Sequence, residues 1–453
     1  MFCTLIALLL FKVNSCTCNR DKTTGKNSFS ETKKITDDSL LTLVQYRTFK
    51  YFWDGAEPKS GMARERFHVD GLYPENDANV VTTGGSGFGL MAILVGIERG
   101  FISRDEALKR YTRIVDFLKN ADRFHGAWPH WLYGETGKVK PFSRKDDGAD
   151  IVETAYLIQG LLAVRQYFIN GSESEKALAS RIDTLWKEVE WNWFTKGGES
   201  IIYWHWSPDF SWQMNFPIQG YNECLILYVL AASSPTFPVS PDVYHKGWAR
   251  DGKIKGEHEK YGYILSLNHN GSAEYGGPLF WTHYSYLGLD PRHLKDSYAD
   301  YWHENVNQTL INWQWCIRNP NRNEGYGKEC WGLTASYSIN GYSAHCPGES
   351  TDPGVISPTA SLSAFPYTPE QSMDALKHFY YVLGSKIWGV YGFYDAFSEK
   401  HKWYPERYLA IDQGPIIIMI ENYRSGLLWH LFMSAKEIQN GLRILGFTSG
   451  ENN

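Results

Sequence analysis

No charge of one sign dominates this chain. Its 453 residues carry 45 Lys and Arg against 50 Asp and Glu, a net charge of −5. That balance removes the electrostatic case for nucleic acid or an anionic membrane surface as a partner. Cysteine is sparse, with seven in all, and neither a CxxC pair nor an HExxH motif occurs, so no zinc signature is present. Beyond the N-terminal segment no apolar run is long enough to span a bilayer.

Aromatic residues, by contrast, are abundant: 18 Trp, 29 Tyr and 23 Phe. Many Trp lie in loop-like stretches such as WPHW (128–131), YWHWSPD (203–209), FWTHYSY (280–286) and WGVYGFYDAF (388–397). Flat rings with a polar edge can stack on sugar faces while neighbouring groups bond hydroxyls, and they can equally fill a core. Trp128, Trp131, Trp206, Trp281 and Trp388 are the candidate substrate platforms. His130, His205 and His283 stand between bonding hydroxyls and serving as satisfied structural histidines, and His283 is carried forward as a substrate contact. Arg64 and Arg66 are read as solvated surface in preference to cleft lining.

The N-terminus, MFCTLIALLLFKVNSC, has the apolar run of a signal peptide and ends in V-N-S-C, which resembles a lipobox. The expectation is a signal over 1–15, acylation at Cys16, a polar tether over 16–34 and one domain over 35–449. The protein is then an exported periplasmic or cell-surface lipoprotein, touching the membrane only through its lipid, with a monomeric body. Cys330 and Cys346 flank one loop, where a disulfide is possible.

From residue 37 helical periodicity dominates. Segments 37–54, 103–120, 174–190, 296–317 and 369–383 are amphipathic. A more apolar set begins near residues 84, 149, 219, 277, 357 and 412, recurring about every 66 residues. Helices apolar all round are buried and amphipathic ones cover them. The alternation predicts an all-α fold, an (α/α)6 barrel of six inner and six outer helices. Its long loops gather over the N-termini of the inner ring.

Carboxylates concentrate at that end. Residues 144–160, RKDDGADIVETAYLIQG, run Asp146, Asp147, Asp150 and Glu153 into an apolar helix. Glu223 and Asp412 occupy the same place at two other inner helices. A single carboxylate there is ordinarily a helix cap, but three helices aiming acids at one cavity is the arrangement acid/base chemistry needs. Glu223, in an otherwise apolar run, is placed to have the raised pKa of a general acid. Asp150 is read either as a cap or, with Asp147, as a hydroxyl contact tuning Glu153. The D-D-x-x-D spacing of Asp146, Asp147 and Asp150 also suits a Mg²⁺-diphosphate site. No second acidic metal motif follows it, so no metal or cofactor is expected.

Six blocks in order resemble the bacterial glycoamylase-like family, and within it glycoside hydrolase family 144. They are NVVTTGGSGFGLMAILVGIERG (79–100), GADIVETAYLIQGLLAVRQYF (148–168), PIQGYNECLILYVLAAS (217–233), GPLFWTHYSYLGLDPR (277–292), WGLTASYS (331–338) and YLAIDQGPIIIMIENYRSG (408–426). The resemblance implies the same barrel and hydrolysis of β-1,2-glucan or its oligosaccharides. It implies Glu223 as general acid, with Asp412 or Glu153 as base or water positioner, and an acidic cluster in which Asp146 or Asp147 accompanies Glu153. Substrate contacts would come from Asp146, Asp150 and the aromatics named above. Two other readings remain: a lipid-anchored glycan-binding protein without catalysis, which has no need of acids on three helices, and a hydrolase or lyase acting on another polysaccharide.

Overall fold

Two buried helices meet at a pair of glycines, and that contact anchors the ring. A Cβ on Gly87 would collide with the backbone of Tyr156 and Leu157, and one on Gly160 with the backbone of Gly87. Only glycine lets the two helices approach this closely, which explains the glycine-rich start of the first apolar segment.

The computed structural model describes residues 34–271 and 274–448. Its helices are α1 Asp37–Trp53, α2 Thr83–Glu98, α3 Arg104–Asn120, α4 Ile151–Phe168, α5 Glu173–Lys187, α6 Leu225–Ser233, α7 Tyr301–Arg318, α8 Pro358–Leu362, α9 Pro369–Lys377, α10 Gly384–Ile387, α11 Ala410–Arg424, α12 Leu427–Met433 and α13 Lys436–Ile444. In α2, α4, α6 and α11 almost every residue is buried. In α3 and α5 only one face is. Inner helices pack in the order α11, α2, α4, α6, and α8 returns to α11. The protein therefore has the (α/α)6 architecture, with its apolar core between inner and outer layers.

Local chemistry sets the boundaries. Ser103 with Glu106 and Ser172 with Glu175 form capping boxes at α3 and α5. Asp300 caps α7, accepting from the His303 N–H, so that helix starts at 301 rather than 296. Two inner positions are not the regular helices expected. Segment 277–288 forms two short 3₁₀ turns, Leu279–Thr282 and Ser285–Leu287. Helix α8 is only five residues long. Pro278 and Gly288 bound the first of these, and its aromatic, Ser and Thr side chains are poor helix formers.

Short antiparallel strands stitch the loops together above the inner ring. Arg66–His68 pairs with Arg407–Leu409, joining the loop before α2 to the loop before α11 and closing the circle. Val80–Thr82 pairs with Trp131–Tyr133, and Ala149–Asp150 with His205–Trp206, so neighbouring loops are tied in sequence. Among the described residues no helix is long and apolar enough to cross a membrane. The expected signal, tether and Cys16 lie outside the described residues. Cys330 and Cys346 are buried and no disulfide joins them.

Candidate active site

The stitched loops enclose a cleft of ≈ 400 Å³ over the N-terminal ends of the inner helices. Glu153 and Glu223 line it, together with Glu65, Arg66, Thr82 and His130. Its aromatic wall consists of Trp131, Phe142, Tyr156, Trp204, Phe280, Tyr284, Tyr337 and Tyr342.

The stretch RKDDGADIVETAYLIQG resolves into layers. Asp150 is the N-cap of α4: its Oδ1 accepts the N–H groups of Val152 and Glu153 at 3.0 and 2.9 Å. Its Oδ2 accepts from His130 Nδ1 at 2.9 Å. The cap thus orients a histidine that faces the cleft. Burial works against charge on His130, but the Glu153 and Asp150 carboxylates outweigh it and raise its pKa to about 10. Asp146 is buried below, its Oδ1 3.4 Å from His205 Nδ1. Asp147 is half-buried beside it, and neither aspartate reaches the cleft lining.

Ligand atoms of His130, Asp146 and Asp150 lie within 4.8 Å of one another, the dimensions of a metal cage. The same three groups are joined by the His130–Asp150 contact at 2.9 Å, so their placement also serves to orient His130.

Glu153 points from the first turn of α4 into the cleft, and its Oε2 accepts the Gly84 N–H at 2.8 Å. Burial pushes its pKa up to about 7, opposed by the His130 cation and by that N–H. Glu223 differs in position and company. It stands just outside α6, because Asn222 Oδ1 accepts the Cys224 N–H and Ser285 Oγ accepts the Ile226 N–H. The Glu223 carbonyl accepts the Ser285 hydroxyl at 2.5 Å. No cation holds its carboxyl, and burial pushes it up to about 7, opposed only by a hydrogen bond from its own backbone N–H. The sequence expectation of a first-turn residue is corrected here: a side chain from the neighbouring segment caps the helix and leaves Glu223 in the preceding turn.

Asp412 does lie in the first turn of α11, but behind the wall. It is 1% exposed, and the Tyr284 hydroxyl donates to its Oδ1 at 3.4 Å. The Asp395 carboxyl lies within its electrostatic reach. Burial and the Asp395 charge hold its pKa well above the usual carboxylate range. The expected base thus stands behind the cleft wall and not among its lining residues.

Several aromatic expectations are also corrected. Trp128 is fully buried and donates its Nε1–H to the Leu118 carbonyl, so it is core. Trp281 is buried against His269, and His283 is buried with its pKa pushed down to about 3 by desolvation. Their neighbours Phe280 and Tyr284, one turn apart, face the cleft instead. Trp206 packs on Phe124, His125 and Trp193, and Trp388 on Tyr380 and Phe393, both away from the cleft. Trp131 alone of the five lines it.

Residues missed from sequence include Trp204, Glu65 and Asp395. Arg66, assigned to the surface, packs its guanidinium 5.4 Å from the Trp131 ring centre within the lining. Arg64 is structural, donating to the Gly55, Ala56 and Ala78 carbonyls.

Comparison with known proteins is consistent with this site. Residues 215–436 match a family model named Glycoamylase and described as "Putative glucoamylase". The structure superposes with a TM-score of 0.91 on an endo-β-1,2-glucanase from Chitinophaga pinensis, in complex with sophorotriose and glucose. The two are 65% identical, over 92% of this chain and 99% of that one. A β-1,2-glucanase from Parabacteroides distasonis is 43% identical with a TM-score of 0.86, over 91% of this chain and 60% of that one. A curated relative from the same species, an exo β-1,2-glucooligosaccharide sophorohydrolase acting at the non-reducing end, is 45% identical over 427 residues. That alignment spans 91% of this chain and 58% of the relative's length. The barrel, the six ordered sequence blocks and identity across nearly the whole chain place this protein in the glycoamylase-like family of (α/α)6-barrel glycoside hydrolases.

Proposed function

We propose that this protein hydrolyses β-1,2-linked glucan or its oligosaccharides, with Glu223 as general acid and Glu153 as the carboxylate that activates water. One observation carries the reading. Two carboxyl groups, each with its pKa pushed up to about 7, face one aromatic-walled cleft in unequal surroundings. The proton belongs on Glu223, whose anion has no cation beside it and only its own backbone N–H to bond it. Glu153 has both, so it is the better carboxylate. Glu223 protonates the leaving glycosidic oxygen as the bond breaks, and Glu153 draws the proton from water attacking the anomeric carbon. Trp131 and Trp204 offer faces for pyranose stacking, while Arg66, Glu65 and His130 offer hydroxyl contacts.

The linkage is supported by the activities named for the Chitinophaga and Parabacteroides proteins. The near-complete overlap with the Chitinophaga enzyme favours internal cleavage. Export with a lipid on Cys16 rests on the V-N-S-C sequence, and metabolic labelling with a radioactive fatty acid, lost in Cys16→Ala, tests it.

Incubation with a panel of α- and β-glucans and sizing of the products tests the main reading. Release of sophoro-oligosaccharides by the wild type, and its loss in Glu223→Gln, is expected. Full hydrolysis by Glu223→Gln refutes the acid assignment. Binding of β-1,2-glucan by the wild type without cleavage favours a glycan-binding protein.

A further inference from the structure

Behind the cleft wall Asp395 and Asp412 are both about 1% exposed, and each carboxyl lies within the other's electrostatic reach. Each carboxyl also holds one element of the wall. Asp395 Oδ2 accepts the Tyr337 N–H at 2.7 Å, within the hairpin formed by Ser336–Ser338 and Gly341–Ser343. Asp412 Oδ1 accepts the Tyr284 hydroxyl. The remaining oxygens, Asp395 Oδ1 and Asp412 Oδ2, are buried and reached by no N–H or O–H donor. Buried acceptors are rarely left so, and two neighbouring carboxylates in an interior do not both ionise. A single proton between the two removes both problems.

We infer that Asp395 and Asp412 form a one-proton dyad that ties the Tyr337 hairpin to Tyr284 across the back of the cleft, making Asp395 a positioning residue for hydrolysis. It acts only through Tyr337, Tyr342 and Tyr284, all of which line the cleft. The ionisable groups facing the pair are Glu65, from the loop before α2, and the phenols of Tyr284 and Tyr342. Arg66 and Arg407 face Tyr337. Glu65 opposes ionisation of both aspartates. The donors bonded to the pair are a backbone N–H and a phenol, so no cation substitutes for the proton. The role of the dyad in hydrolysis rests on the function proposed above; its existence does not.

Asparagine at 395 is the informative change. Its amide oxygen keeps the Tyr337 N–H, and its amide N–H fills the orphaned Asp412 oxygen. Asp412 is then the pair's only carboxyl, relieved of the Asp395 charge and bonded by the amide N–H and the Tyr284 hydroxyl, so the pair keeps one net negative charge. Alanine at 395 breaks the tie. Three measurements on the full chain separate the outcomes. At about pH 8, where Glu153 and Glu223 are mostly ionised, infrared difference spectra of the wild type should show a buried carboxylic-acid carbonyl band. That band should be absent from Asp395→Asn. On β-1,2-gluco-oligosaccharides Asp395→Ala should lose about 10²-fold in kcat/KM, and Asp395→Asn should restore KM to within about twofold of the wild type. Persistence of the band in Asp395→Asn, or equal loss in the two variants, overturns the inference. A wild type inactive on β-1,2-glucans whose band still vanishes in Asp395→Asn sinks the proposed substrate and leaves the dyad standing.

Discussion

Gly84→Ala offers a sharp separation of activity from stability. A Cβ at this position would sit 2.5 Å from Glu153 Oε2, 3.0 Å from Glu153 Cδ and 3.0 Å from Tyr156 Cδ2. The first contact is closer than atoms tolerate, so the Glu153 carboxyl has to swing away. Doing so it leaves the Gly84 N–H that it accepts at 2.8 Å. A carboxylate displaced by about 1 Å costs about 10²-fold in rate, because the attacking water is no longer aligned. Stability should respond far less. Overpacking costs about 1–3 kcal/mol, while Ala within helix α2 recovers up to about 1 kcal/mol of helix propensity. The net is about 0–2 kcal/mol. Glu153 also loses a hydrogen bond that favours its ionised form, so the acid limb of the pH–rate profile should move to higher pH. Steady-state hydrolysis of β-1,2-gluco-oligosaccharides across pH, with thermal melting in parallel, reads all three effects. A variant with wild-type kcat and an unmoved acid limb refutes Glu153 as the working carboxylate. A collapsed melting temperature refutes the packing estimate instead.

Asp150→Asn keeps an acceptable N-cap but removes the anion beside His130, so the imidazole pKa should fall from about 10, as NMR titration of its ring nitrogens would show; an unchanged titration removes Asp150 as its partner. Glu223 has a folded pKa raised from 4.5 to about 7, so its contribution to stability is present below its unfolded pKa and is lost as pH rises through about 7. Glu223→Gln should therefore gain melting temperature relative to the wild type at pH 8 but not at pH 4, and a parallel pair of curves contradicts the burial argument. Trp131→Ala should raise KM about tenfold through a lost stacking face. Trp388→Ala should leave KM within about twofold while destabilising the fold by about 3 kcal/mol, measured by denaturant unfolding.

The fold was legible because burial imposes a pattern on composition. Helices α2, α4, α6 and α11 are apolar on every side, while α3 and α5 show a single buried face, and neither pattern needs a partner to be recognised. The fourth and fifth inner positions were not legible as short turns. Apolar, aromatic-rich segments such as 277–288 are buried whether helical or not, so hydrophobicity leaves the backbone open. At the site, Glu153 and Glu223 were visible as acids entering apolar runs. Asp412 carried the same signal but faces Asp395, and only tertiary contact separates a carboxyl in a cleft from one behind its wall. The tryptophans show the same limit. Trp128 and Trp131 lie three residues apart in WPHW, yet one is core and the other lines the cleft. Cross-strand pairing of residues 80–82 with 131–133 set that choice, and no local pattern encodes it.

The unequal inner ring makes the molecule mechanically lopsided. Glu153 is carried on a long helix locked to α2 by facing glycines, a stiff half in which backbone amides should exchange slowly with solvent. Phe280, Tyr284, Tyr337 and Tyr342 stand on the compliant half, built from 3₁₀ turns and a two-stranded hairpin. Glu153 thus stands on the half with regular helical hydrogen bonding, and the aspartate pair stands behind the half without it.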